Sequence, residues 1–157
     1  METRHVTLDP SLQAIDAHYR GMPPVAVMDL RIDGFDDGVL RLRAPLARHV
    51  NDKGCAFGGS LVSLMTLAAW GVATLRLEQA GIAADVFVAD SAVRYRAPLF
   101  DELLAEAWLA DPGDWANFMA AIGERGRAGI GLVACVRLPG GGIAAEMEAR
   151  YVAVAKG

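Results

Sequence analysis

The chain has 157 residues, 54% of them hydrophobic and 22% charged, so it can bury the core of one ordinary domain and is not a disordered chain. A formal net charge of −4 argues against a duplex nucleic-acid partner, whose phosphates call for clustered Lys and Arg. So much apolar surface on so short a chain points to burial between copies, in a homo-oligomer.

The first expected element is a short helix within a 1–22 extension. Asp9 can cap it, Pro10 suits its first position and Gly21 can end it, with Leu8, Leu12, Ile15 and Tyr19 forming one apolar stripe. Met22-Pro23-Pro24 should break the chain. Strands are expected over 27–33 and 39–44, joined through the turn residues 34–38. In the second strand Leu40 and Leu42 alternate with Arg41 and Arg43, apolar to one face and charged to the other. Pro45 ends it.

After a loop over 48–57, residues 58 to about 80 form a long apolar segment closed by Gly81. It is apolar nearly all round until Arg76 and Glu78, which fits a central buried helix. Its uncharged stretch over 60–75 is too short to span a bilayer at the roughly 18–20 residues required, so no membrane partner is expected. Strands follow over 86–98 and 103–110, then a helix over 114–123 with Asp114 as its cap and Trp115, Phe118, Met119 and Ile122 on one face. Two last strands, 128–138 and 143–155, are joined by Pro139-Gly140-Gly141-Gly142. An α+β fold follows, an antiparallel sheet wrapped around one long helix, in a single domain over 1–157. Cys55 and Cys135, with His5, His18 and His49, have no metal-ligand spacing, so no metal is expected. The start METRHVTLDP lacks an apolar secretory core, which makes a cytoplasmic protein the expectation.

The stretch from Asn51 to Leu61, NDKGCAFGGSL, carries the chemistry. Gly58 and Gly59 let a ligand approach the backbone where the long helix begins. Free amides there, at the positive end of the helix dipole, favour negative charge. Aimed at a thioester carbonyl they form an oxyanion hole, and losing one such donor typically costs about a hundredfold to a thousandfold in rate. A tight turn explains a Gly pair equally well.

Asn51, six residues and then Gly58-Gly59 before a long helix resembles the hotdog thioesterases of the phenylacetyl-CoA-pathway type. Asn51-Asp52-Lys53-Gly54, Phe57-Gly58-Gly59-Ser60-Leu61, Trp70-Gly71, Ala89-Asp90-Ser91, Arg94-Tyr95 and Ala97-Pro98 look like the YiiD C-terminal-like thioesterases, over about 23–155. That resemblance implies a bacterial hotdog-fold enzyme acting on an acyl-CoA or acyl-carrier-protein thioester. It also implies a homodimer with continued sheets, or a tetramer, and no cofactor beyond the CoA of the substrate. Two departures stand out. Phe57 occupies the position of the pathway enzymes' His before the Gly pair, and Thr66 that of their helix carboxylate, seven residues after the second Gly.

Another group must then act as base or nucleophile. Asp52 is the first candidate, since hydroxybenzoyl-CoA thioesterases use an acidic residue before the helix; an Asx-turn role is the alternative. Asn51 either holds the water or carbonyl, or bonds its own loop. Asp90 and Ser91 are a polar pair in an apolar strand, and a buried carboxylate there would be a reserve base or a structural acceptor. Cys55 with His49 nearby lacks anything to depress its thiol pKa. Arg41, Arg43, Arg94, Arg96, Arg125 and Arg127 are surface charges or grips for CoA phosphates. Phe57, Ser60 and Leu61, with Leu64, are expected to line the substrate site, or to be plain core. A thioesterase is the leading expectation, a non-catalytic acyl-carrier binding module the alternative. A hotdog dehydratase ranks last because its catalytic His is missing.

Overall fold

The computed structural model describes residues 8–157; residues 1–7 of the expected extension, His5 among them, lie outside the described residues. Helix α1 spans Pro10–Gly21, with Asp9 Oδ1 accepting from Leu12 N at 2.9 Å and Leu12, Ile15 and Tyr19 buried. The two prolines that follow do not merely break the chain. They start a one-turn helix α2, Pro23–Ala26, because the first helical positions need no N–H donor. Asp29 then turns the chain at φ +53°, so strand β1 begins only at Arg31 and covers Arg31–Asp36, later than the expected 27–33.

The β1–β2 hairpin turns on Asp37-Gly38, both at positive φ, while Gly34 sits at a bulge inside β1. Strand β2, Val39–Ala44, buries Leu40 and Leu42 as its alternation requires. Arg41 and Arg43 pair with Asp36, Glu106, Asp33 and Glu102 on the other face.

Helix α3, Gly58–Gln79, crosses to the far side. Strand β3, Ala84–Tyr95, lies there, and β4, Leu103–Leu109, returns beside β2. Helix α4, Trp115–Arg125, precedes β5, Arg127–Arg137, and β6, Ile143–Ala155. Asp114 is not the cap expected of it. Asp111 takes that role, accepting from Gly113 N at 2.9 Å to start the 3-10 turn that runs into α4. The six strands form one antiparallel sheet in the order β1-β2-β4-β5-β6-β3. Its concave face holds α3, which by length and composition could cross a membrane but here is the core of the domain.

Leu61, Leu64, Met65, Val72 and Leu75 of α3 are buried, each large side chain contributing roughly 1.5–3 kcal/mol of hydrophobic free energy. Two tyrosines from opposite sides fix the helix against the sheet and α1. Tyr19 Oη donates to Leu67 O and Tyr151 Oη to Thr66 O, both at 2.7 Å. Burial pushes both phenols above their ordinary pKa, so both remain neutral donors.

Candidate active site

The chain between β2 and α3 folds into a small hairpin. Phe57 N donates to His49 O at 2.7 Å, Val50 and Ala56 form a bridge, and Asn51 N donates to Cys55 O at 2.8 Å. Gly54, at φ +83°, allows the tip to turn. His49 and Phe57 therefore form the base of the hairpin, directly before α3, and Asp52-Lys53-Gly54 its far end.

Both ring nitrogens of His49 are engaged. Nε2 lies 2.7 Å from Met28 O and Nδ1 lies 2.8 Å from Ser60 Oγ, and the residue is only 5% exposed. A carbonyl can only accept, so Nε2 carries the hydrogen. In the neutral ring Nδ1 is then the acceptor, and the Ser60 hydroxyl donates to it.

At the helix start, Ser60 N and Leu61 N turn back to Phe57 O at 2.9 and 3.1 Å. The amides of Gly58 and Gly59 meet no acceptor among the described residues. An aromatic ring stands beside each glycine, but only at Gly59 does it exclude a side chain. A β-carbon on Gly58 would stand 3.4 Å from the Tyr95 ring, whose hydroxyl also donates to Gly58 O at 3.3 Å. One on Gly59 would stand 2.5 Å from the Phe57 ring, closer than carbon atoms approach. Phe57 itself is exposed and lies over the helix start.

The other candidates are less well placed for chemistry. Asn51 is committed to its loop: Oδ1 accepts from Lys53 N at 2.8 Å and Cys55 N at 3.2 Å, and Nδ2 approaches Cys55 Sγ at 3.3 Å. Asp52 is at the hairpin tip, its side chain 82% exposed and ion-paired to Lys53 at 3.0 Å. Asp90 and Ser91, expected to be buried, are exposed. Strand β3 is the sheet's edge and pairs only with β6, so Asp90, with a side chain 70% exposed, simply meets Arg150 at 3.3 Å. It lies roughly 17 Å along the strand from Tyr95, at about 3.3 Å per residue. Leu61 and Leu64 are core.

Thr66, at the position where the pathway enzymes carry an acid, faces Met147 Sδ at 3.8 Å, packed against the sheet. Cys55 is buried against Asn51, and His49 turns to Ser60 instead of to this thiol. Arg96 grips Glu146 at 2.5 Å and holds its carboxyl below the usual range, while Arg125 and Arg127 form no ion pair among the described residues.

The contact that sequence reasoning missed is His49–Ser60. The two residues lie eleven apart around a turn, and no helical or strand spacing links them. The turn-forming run Asn51-Asp52-Lys53-Gly54 is the one signal that the chain doubles back there.

A family model described as "Putative thioesterase (yiiD_Cterm)" matches residues 13–155. A protein of unknown function from Chlorobaculum tepidum superposes with TM-score 0.85 at 27% identity, covering 94% of this chain and 100% of that one. A putative thioesterase from Shewanella oneidensis gives TM-score 0.83 at 28% identity, over 94% and 99% of the two chains. A thioesterase from Haemophilus influenzae, 15% identical, shares the fold at TM-score 0.73, over 96% and 93%. The sheet wrapped around α3 is thus the hotdog fold that the sequence led us to expect.

Proposed function

The chain belongs to the YiiD C-terminal putative thioesterase family, which supports thioester hydrolysis in general, and we propose that its substrate is an acyl thioester of coenzyme A or of an acyl-carrier protein. The observation that carries this reading is the pair of unengaged amides at Gly58 and Gly59. They lie at the positive end of a 22-residue helix, where the negative oxygen of a tetrahedral intermediate would be stabilised. Phe57, Tyr95 and the half-buried Ser60 surround that point and would receive the reacting end of the acyl group.

The working unit in this reading is a homodimer. Strand β3 leaves one edge unpaired along twelve residues and exposes Phe87, Val88 and Tyr95, the kind of edge that a second copy can extend. Antiparallel pairing of two such edges would bring Asp90 and Ser91 of one copy beside the other. Asp52 and Asp90 remain the carboxylates that this assembly offers for water activation.

A second reading, a binding module without turnover, is favoured by Thr66 standing where the phenylacetyl-CoA-pathway thioesterases carry an acid. Thiol release from a panel of acyl-CoAs and acyl-carrier proteins separates the two. Turnover above the uncatalysed rate is expected. Tight binding without release on every substrate would leave the module reading alone.

A further inference from the structure

We propose that Ser60 is the nucleophile of this site and His49 its general base, an assignment that rests on the thioesterase reading. A weak nucleophile needs a base within hydrogen-bond reach, and the base needs a third group to fix its orientation. Both contacts are present. Ser60 Oγ is 2.8 Å from His49 Nδ1, and Met28 O, 2.7 Å from Nε2, fixes the tautomer that leaves Nδ1 free to accept a proton. Ser60 is the third residue of α3, directly after the two glycines whose amides are unengaged, so nucleophile and oxyanion donors come from one helical turn. A histidine that served only to satisfy Met28 O would not need its second nitrogen directed at a hydroxyl beside those amides. Neither carboxylate has a comparable setting, because Asp52 and Asp90 are solvated and each is already ion-paired.

The steps balance with water as the only co-reactant. Ser60 Oγ attacks the thioester carbon as His49 Nδ1 takes the hydroxyl proton, and the carbonyl electron pair moves onto the oxygen facing Gly58 and Gly59. Collapse breaks the C–S bond, and His49 returns the proton to the departing thiolate. A water molecule then gives its proton to His49 and attacks the Ser60 ester. Cleavage of the C–Oγ bond releases the acid and restores the serine hydroxyl. Because a carbonyl stands where a carboxylate usually orients the histidine, the imidazolium is less stabilised than in a full triad.

A fluorophosphonate probe tests the pair on the full-length chain independently of thioester turnover. Fluoride leaves as the Ser60 O–P bond forms, and peptide mass mapping locates the adduct. We expect one adduct, on Ser60, formed at least about tenfold more slowly in His49→Gln, since a general base is typically worth a hundredfold or more. Thiol release should fall at least about a hundredfold in Ser60→Ala. Ser60→Cys, which preserves size and nucleophilic character, should accumulate an acyl adduct visible in its intact mass, and it serves if the alanine variant does not fold. No adduct on Ser60, or Ser60→Ala turning over at the parent rate, overturns the assignment. In the second case thioester hydrolysis stands without it; labelling of Ser60 with no turnover on any acyl thioester would instead remove the thioesterase reading and keep the reactive pair.

Discussion

The hydroxyl of Tyr19 occupies the space that a side chain on Gly71 would need, and Leu40 closes the same space from the sheet side. Helix propensity alone favours Ala over Gly by about 1 kcal/mol in a helix interior. Here packing reverses that preference. Gly71→Ala should destabilise the chain by about 1–3 kcal/mol, the usual penalty for overpacking a core. Urea unfolding would show it as a lower midpoint at unchanged slope. A midpoint at or above the parent's would mean that Tyr19 can move aside, and the Tyr19–Leu67 hydrogen bond would then be dispensable.

The two glycines at the start of α3 should respond differently to alanine. Gly58→Ala meets the Tyr95 ring at an ordinary contact distance and should keep most of the activity. Gly59→Ala must push the Phe57 ring off the helix start. Misplacement by about 1 Å is enough to lose roughly a hundredfold in kcat/KM. Steady-state kinetics on both variants, with circular dichroism to confirm folding, would decide it. Equal effects at the two positions would remove the ring over Gly59 as the cause.

If strand β3 extends its sheet into a second copy, Phe87→Asp should split the assembly and abolish turnover without unfolding the monomer. Phe87 is exposed on the edge strand, so a charge there costs the isolated chain little. Sedimentation velocity should show parent and variant differing about twofold in mass, as expected for a two-fold assembly. A parent that sediments as a monomer would end this prediction, and so would a variant that keeps its partner.

Cys135 gives a pH signature. Burial pushes its thiol above the ordinary value of 9.0; Arg137 pulls it down and Glu106 and Glu146 add to the rise. Its folded pKa is raised, so its contribution to stability is full below the unfolded thiol pKa and is lost as pH rises through the folded value. Stability of the parent should therefore decline on the alkaline side. Cys135→Ala should flatten that limb and leave the profile below neutrality unchanged. An identical alkaline limb in the two proteins would assign the loss to other groups.

Helix α3 and strand β2 were legible in the sequence because each has an unambiguous pattern: an apolar run unbroken by charge up to Arg76 in one, strict Leu/Arg alternation in the other. The start of β1 was not legible, since Pro23-Pro24 can break a helix or begin one, and the choice depends on what precedes them. Asp90 was misjudged for a different reason. Apolar neighbours in a strand imply burial only when the strand has cover, and β3 is an edge whose apolar residues are uncovered in the single chain. The Gly pair also marked where α3 begins, at Gly58. The His49–Ser60–Met28 chain was beyond reach, because it joins three segments that meet only when the hairpin closes.

Residues 1–22 were read as an extension, yet α1 and the turn that follows it are wired into the rest of the molecule. Tyr19 anchors α1 to the middle of α3, and the left-handed step at Asp29 directly follows the Met28 carbonyl that meets the histidine. A sequence change around that step would reach the serine through one imidazole without touching the glycine loop at all. The leading segment is no dispensable tail: trimming it would take Leu12, Ile15 and Tyr19 out of the core and the Met28 carbonyl away from the histidine.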